Sequence, residues 1–213
     1  MNTASRSIIG SLMLLGLGGA TIAQAQQSEM TFFITSAGSG KGGDLGGLAG
    51  ADKHCQMLAE AAGVRGKTWH AYLSTQGAGA VNARDRIGPG PWFNARGAQI
   101  AQNVDGLHSS ANRLAAFTAL DERCNQIPGS GFSPNRHDIL TGSTPEGRAY
   151  PAGADMTCGN WTSSSDTGGA KARVGHHDYA AWNSSHDSRA CSQQSLVATG
   201  GDGLLYCFAL PAQ

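Results

Sequence analysis

The sequence predicts a loop-rich fold that combines short strands with helix and is stabilised by disulfide bonds. Three observations favour this interpretation. Of the 213 residues, 31 are glycine, the residue that most readily allows a chain to turn. Only 14% of the residues are charged, and five are cysteine. Short apolar stretches with the periodicity of a strand or a helix alternate with polar segments along the chain.

The first 25 residues have the composition of a secretory signal peptide. Arg6 precedes the apolar run IIGSLMLLGLGGATIA, and the small residues of AQA, Ala23–Ala25, provide a cleavage site. The run is shorter than the roughly 20 apolar residues of a membrane helix, and no later stretch approaches that length. We therefore expect residues 26–213 to form one secreted or periplasmic domain that has no membrane span.

Four elements are predicted from periodicity. MTFFITSA, Met30–Ala37, is rich in β-branched and aromatic residues and predicts the first strand. LAGADKHCQMLAEAAG, Leu48–Gly63, has apolar residues at helical spacing and ends at a glycine. KTWHAYLST, Lys67–Thr75, alternates as a half-buried strand does, and GLLYCFAL, Gly203–Leu210, predicts a final strand. Residues 77–151 have weak regularity, and the polar segments after them are expected to be loops between short strands.

The charge and the cysteines exclude several classes of protein. Lys and Arg number 15, as do Asp and Glu, so loss of Arg6 with the signal peptide leaves 14 against 15, a formal charge of −1. No basic stripe is present, and nucleic-acid binding is not expected. No two cysteines form a CxxC pair, which argues against a zinc ribbon or a redox centre. In an exported protein, four of the five cysteines would form two disulfides.

The order of several motifs resembles endostatin, the C-terminal module of certain animal collagens. The motifs are GGLAGADKHC, KTWHAYLST, LTGSTPEGRAY, CGNWTS, a solitary Cys191 and LLYCFAL. The phrases PNRHDILTGS, CGNWTSS, GHHD, WNSSH, CSQQ and GLLYCFA also resemble a group of exported bacterial proteins often called lectins. The similarity spans about Thr31 to Phe208. It implies a C-type-lectin-like α+β fold with two helices, antiparallel strands, adjacent termini and long loops at one end.

The resemblance to endostatin also implies how the cysteines pair. Nested bridges join the first to the fourth cysteine of the pattern and the second to the third. Here these are Cys55 with Cys207 and Cys158 with Cys191. Cys124 has no counterpart in the pattern and is expected to be unpaired.

Two segments that combine tryptophan with amides are candidates for a carbohydrate site. A bridge between Cys158 and Cys191 would bring WNSSH beside CGNWTSS on one surface. A sugar ring needs an aromatic face together with amide and hydroxyl partners. The alternative is that the two tryptophans pack in the core. The candidate residues are Asn160, Trp161, Trp182, Asn183, Ser184 and Ser185.

Histidines near these segments are candidates for a metal site. His176, His177, Asp178 and His186 would bind zinc if a loop brought them together, although their spacing matches no motif such as HExxH. The alternative is structural histidines. In NRHDILTGS, Asp138 is interpreted as capping backbone amides in a turn and Arg136 as pairing with a carboxylate. Either calcium or zinc is a possible cofactor, although no motif identifies one. No EPN or QPD triplet of the sugar-binding C-type lectins is present, so calcium-dependent sugar binding is not expected.

Three functional hypotheses follow. The first is a secreted, non-enzymatic recognition domain that binds carbohydrate or another polar surface ligand through both groups of candidate residues. The second is a zinc-dependent hydrolase centred on His176, His177, Asp178 and His186. The third is a structural envelope module, in which these residues hold the loops together.

Overall fold

The computed structural model describes residues 29–211, so the predicted signal peptide, residues 1–25, lies outside the described residues. The main sheet contains β1 (Phe32–Ile34), β2 (Trp69–Ala71), β5 (Asp138–Leu140), β6 (Arg173–His176), β7 (His186–Asp187) and β8 (Gly201–Ala209). A second sheet pairs β3 (Trp92–Phe93) with β4 (Gln99–Ala101). The helices are α1 (Gly47–Ala61), α2 (Val104–Leu107), the kinked turn α3 (Cys158–Trp161) and α4 (Gln193–Val197), with a 3₁₀ turn at Ala83–Asp85.

Strand β8 organises the main sheet. The strand order is β1-β8-β5-β6-β7, and β2 also pairs with β8. Because side chains alternate along a strand, β8 contributes to two hydrophobic clusters. Leu205 and Cys207 belong to the cluster that contains α1, whereas Leu204, Tyr206 and Phe208 belong to the other. The sheet is therefore buried on both faces along β8.

Helix α1 forms because its small apolar residues recur every four positions. Ala51, Cys55 and Ala59 are buried along one face. The helix follows Gly46, which has φ 75°, and Gly63 with φ 87° lies just beyond its end. This left-handed conformation favours glycine at both positions. The predicted helix, Leu48–Gly63, thus agrees with the structure to within two residues at each end.

Both disulfides implied by the resemblance are present. Cys55–Cys207 joins α1 to β8, and Cys158–Cys191 joins two segments of the second half of the chain. Cys124 has a free thiol. These bonds, the few helices and the paired strands give a mixed α+β structure.

Two expected details differ from the structure. Within residues 29–211, α1 is the one helix longer than five residues, where two helices were expected. The sheet is not wholly antiparallel, because β5 pairs with β8 in parallel. The weakly regular residues 77–151 contain β3, β4, α2 and β5, which are too short to give a clear periodicity.

Across residues 29–211, no helix has the length and apolarity required to cross a bilayer.

Candidate metal centre

Three neighbouring strands bring a carboxylate and imidazoles to one face of the main sheet. The antiparallel register of β5 and β6 places Asp138 opposite His176. On the next strand, His186 of β7 lies opposite Val174, two residues before His176 and therefore on the same face. His137 immediately precedes β5. The pairing thus gathers residues that are up to 49 positions apart in the sequence.

The oxygen Oδ1 of Asp138 is the common centre of this group, which we call the His/Asp cluster: His137, Asp138, His176 and His186. This oxygen lies 3.1 Å from Nε2 of His176 and 3.3 Å from Nε2 of both His137 and His186. The ligand atoms of His137, Asp138 and His176 all lie within 4.8 Å of one another. The Asp138 side chain is 2% exposed and that of His186 39%, so the cluster extends from the interior to the surface.

The outer nitrogen of each imidazole has its own neighbour. Nδ1 of His186 lies 3.0 Å from the carbonyl oxygen of Asp187, and a carbonyl only accepts hydrogen bonds, so this nitrogen donates. Nδ1 of His176 lies 3.3 Å from Oγ of Ser185. Nδ1 of His137 lies 3.3 Å from Oδ1 of Asp178, without the geometry of a hydrogen bond. Such outer partners orient histidines that bind metals and leave Nε2 as the ligand atom.

The inner atoms of the cluster are arranged as the ligands of a cation could be. Within residues 29–211, the contacts of the Asp138 oxygens and of His176 Nε2 lack good hydrogen-bond geometry, although Thr199 and His186 lie close enough to lower the pKa of the Asp138 carboxyl. Buried polar atoms are normally paired, so atoms left unpaired in this convergent arrangement are typical of ion ligands.

Burial favours the neutral forms of Asp138 and His176. It raises the pKa of the Asp138 carboxyl, because the charged form is desolvated. It lowers the pKa of His176 to about 4, and the neighbouring His137 and His186 lower it further in the same direction. The ring of His176 is therefore neutral at pH 7, which is the form that coordinates metals.

The distances from Asp138 Oδ1 agree with those between neighbouring ligands of a small ion, although His186 lies outside the group of ligand atoms that are all within 4.8 Å of one another. Zinc bonds of about 2.0–2.1 Å to imidazole nitrogen and carboxylate oxygen place neighbouring ligand atoms about 3.3 Å apart. The observed distances from Asp138 Oδ1 are 3.1–3.3 Å. Calcium prefers six to eight oxygen ligands, which a cluster of three imidazoles and one carboxylate does not provide.

A glycine allows the chain to approach His137 closely. Gly200 precedes β8 with φ 98°, a conformation that favours glycine. A Cβ atom there would lie 3.1 Å from Nε2 of His137 and 2.9 Å from Nδ2 of Asn135. Any larger residue at position 200 would press on the cluster.

Two of the four residues predicted to bind metal belong to the cluster, and the other two do not. His176 and His186 belong to the cluster, and Asp178 lies behind His137, where its Oδ2 accepts a hydrogen bond from the backbone of Ser130. The buried His177 is not one of the imidazoles around Asp138 Oδ1. Burial lowers its pKa to about 4.

Sequence reasoning missed two members of the cluster, His137 and Asp138. Asp138 was interpreted as a cap of backbone amides, but its carboxylate instead faces three imidazoles. The missing information was the β5–β6 register, which no spacing motif contains. Arg136 does pair with a carboxylate, since its Nε donates to Asp202 at 2.9 Å.

The two tryptophans do not share a surface. Trp161 is fully buried, and its indole Nε1 donates to the carbonyl of Ser74 at 2.7 Å. Trp182 is 3% exposed and packs against Tyr72 and Tyr206 in the other hydrophobic cluster. Neither ring therefore offers a face to a sugar, because Trp161 is buried in the hydrophobic cluster that contains α1 and Trp182 in the other. This corrects the expectation of a stacking platform at these rings.

The remaining candidates have structural partners. The buried Asn183 donates from Nδ2 to Tyr72 Oη at 2.9 Å. Asn160 is exposed, but its Oδ1 accepts from the backbone N–H of Gln76 at 2.7 Å and its Nδ2 donates to the Gln76 carbonyl. Ser184 is buried beside Tyr150, and Ser185 adjoins the cluster through His176. Among the amide and hydroxyl candidates, Ser185 is thus the one placed at the cluster.

The substitution Trp161→Ala should lower the free energy of unfolding by about 3–5 kcal/mol, because it leaves a large cavity and an unpaired Ser74 carbonyl. Urea denaturation would measure the change. Phe117→Ala provides the control, since that ring is exposed and its loss should cost under about 0.5 kcal/mol. An unchanged stability for Trp161→Ala would contradict its place in the core.

Comparison with known proteins does not assign the site to a family. No family model matches the chain, and no curated protein matches it. The cluster is therefore interpreted from its own geometry.

Proposed function

We propose that this protein binds one zinc ion through His137, Asp138, His176 and His186 and that the ion holds a recognition surface in place. The observation that carries this proposal is the position of Asp138 Oδ1, 3.1–3.3 Å from three imidazole Nε2 atoms whose Nδ1 atoms face other groups. Zinc accepts imidazole nitrogen and carboxylate oxygen as ligands.

Binding is proposed rather than hydrolysis because of how the neighbouring groups are used. A hydrolytic zinc site needs a further side chain to move protons. Asp178 lies against His137 and Ser130, and Ser185 lies against His176. Both groups therefore support the ligands of the ion. The structural-module hypothesis is included in the proposal, since an ion shared by β5, β6 and β7 would also hold their loops.

We also propose a specific fold family and a cellular location for the protein. A C-type-lectin-like, endostatin-related fold is supported by the motifs quoted above and by the two nested disulfides. Export through a cleaved signal peptide is supported by the composition of residues 1–25 and by disulfide pairing, which persists in oxidising compartments.

Zinc titration of the untagged, disulfide-intact protein tests the proposal. We expect one zinc per chain by elemental analysis and calorimetry. His176→Ala should weaken the affinity at least about 100-fold, because even changes to the outer partners of metal ligands cost 10–100-fold. His186→Ala should also weaken it, and its half-exposed side chain makes misfolding a small risk.

His54→Ala is the matched control. His54 lies on α1, and its Nε2 contacts the carbonyl oxygen of Ala37. This variant should bind zinc as the unaltered protein does. Equal zinc binding by all four proteins, or no stoichiometric binding by the unaltered one, would contradict the proposal.

A further inference from the structure

Three turns between residues 94 and 126 meet at one surface outside the His/Asp cluster, and this surface combines arginines with an exposed phenylalanine. We infer that it binds the anionic face of a lipid bilayer, with the ring of Phe117 among the lipids and the arginines against the headgroups. The inference goes beyond the proposed zinc site and does not depend on it.

Side-chain hydrogen bonds to carbonyl groups join each turn to the other two. They run from Asn94 Nδ2 to the Thr118 carbonyl, from Arg96 Nη2 to the Cys124 carbonyl and from Gln126 Nε2 to the Ala116 carbonyl, at 3.0, 3.4 and 2.8 Å. We call the face formed by residues 94–98, 113–118 and 121–126 the three-turn surface. Because its turns are bonded to one another, their exposed side chains lie on one continuous face.

Phe117 holds an aromatic ring in solvent on this surface. It is 71% exposed, the largest value among the large hydrophobic side chains within residues 29–211. The turn beneath it is fixed, since the backbone N–H of Thr118 donates to the Ala115 carbonyl at 2.9 Å and Thr118 Oγ1 donates to the Arg113 carbonyl at 2.6 Å. Transfer of such a ring out of water is favourable, and aromatic residues are enriched where proteins meet the membrane interface.

Each of the three turns also contributes one exposed arginine: Arg96, Arg113 and Arg123. Neither Arg96 nor Arg113 forms an ion pair within residues 29–211. The Arg123 side chain is 61% exposed, and its Nε lies 3.8 Å from Glu122. Arginine can keep its guanidinium group at the headgroups while its stem lies against apolar surface, and each basic residue near an anionic bilayer strengthens binding.

The two carboxylates of this region lie beneath the arginines. Asp121 is 5% exposed, and its Oδ1 accepts hydrogen bonds from the backbone N–H groups of Arg123 and Asn125. The Glu122 side chain has no exposed area and accepts hydrogen bonds from the backbone and the hydroxyl of Ser36. Three guanidinium groups against two carboxylates leave a local charge of +1, with the positive charges outermost. The side that would face a bilayer is therefore cationic.

The exposed ring favours a bilayer over a soluble polyanion as the partner. A polyanion would contact the arginines and leave Phe117 in water. An anionic bilayer offers phosphate groups to the arginines and an apolar interior to the ring, so it uses both features of the three-turn surface.

Sedimentation with lipid vesicles tests the inference on the untagged, disulfide-intact protein. The vesicles contain either equal parts of phosphatidylglycerol and phosphatidylcholine or phosphatidylcholine alone. We expect binding to the anionic vesicles to be at least about tenfold stronger and to weaken as salt is added. Phe117→Ala should weaken this binding about tenfold, because the ring no longer leaves water, and Arg113→Gln should weaken it about fivefold.

Phe132→Ala and Arg189→Gln are the matched controls. Phe132 is 68% exposed and Arg189 is also exposed, but both lie outside the three-turn surface, so these variants should bind the anionic vesicles as the unaltered protein does. The inference is overturned if the two kinds of vesicle bind equally or not at all, or if Phe117→Ala has no effect. Binding to soluble polyphosphate but not to vesicles would also overturn it and would indicate a polyanion as the partner.

Discussion

Saturating zinc should raise the free energy of unfolding by about 4 kcal/mol when free zinc is 1,000 times its dissociation constant. The reason is that Asp138, His176 and His186 meet only in the folded chain, so the unfolded chain binds the ion weakly. The bound ion would also compensate the buried carboxylate of Asp138, whose contacts within residues 29–211 lack good hydrogen-bond geometry. Urea denaturation with and without zinc, at fixed protein concentration, measures this increment.

Two variants show which residues are responsible for the stabilisation by zinc. His176→Ala should lose most of the increment, and His54→Ala should keep it, because His54 lies on α1 outside the His/Asp cluster. The same increment in His176→Ala and in the unaltered protein would mean that zinc stabilises the chain through other residues.

Replacing both members of the disulfide Cys55–Cys207 with serine should lower the free energy of unfolding by about 5 kcal/mol. The bridge spans 152 positions, and the chain-entropy relation gives this magnitude for a loop of that size. Both sulfurs are also buried between α1 and β8, where two hydroxyl groups would be poorly accommodated. Urea denaturation of the double variant under non-reducing conditions provides the measurement.

Variants of the other cysteines provide comparisons for this result. Removing Cys158–Cys191, which spans 33 positions, should cost less, about 4 kcal/mol by the same relation. Cys124→Ser should cost far less, since that thiol is free and only half-buried. A double variant of Cys55 and Cys207 as stable as Cys124→Ser would contradict the stabilising role of the bridge.

The elements with strong local patterns could be predicted from the sequence. Helix α1 has a regular apolar face, and β8 is a long apolar strand, so both were located within a few residues. Strands β3–β7 are two to four residues long, and their conformation depends on pairing rather than on local periodicity. The parallel pairing of β5 with β8 is a long-range feature that no local pattern encodes.

The candidate site could be predicted only in part, for a related reason. His176 and His186 could be predicted because histidines concentrate in that segment. His137 and Asp138 are about 40 residues earlier and join them only through the pairing of β5 with β6. Trp161 and Trp182 looked like a binding pair because each has an adjacent asparagine. Whether an aromatic ring is buried depends on tertiary packing, and here both rings are in the core.

The central claim is the position of the ion, and anomalous X-ray scattering from a crystal grown with zinc tests it most directly. The account predicts one strong peak at the zinc edge, about 2.0–2.2 Å from Nε2 of His137, His176 and His186 and from a carboxylate oxygen of Asp138. No peak among these four residues, with zinc in the crystal only elsewhere or absent, would contradict it.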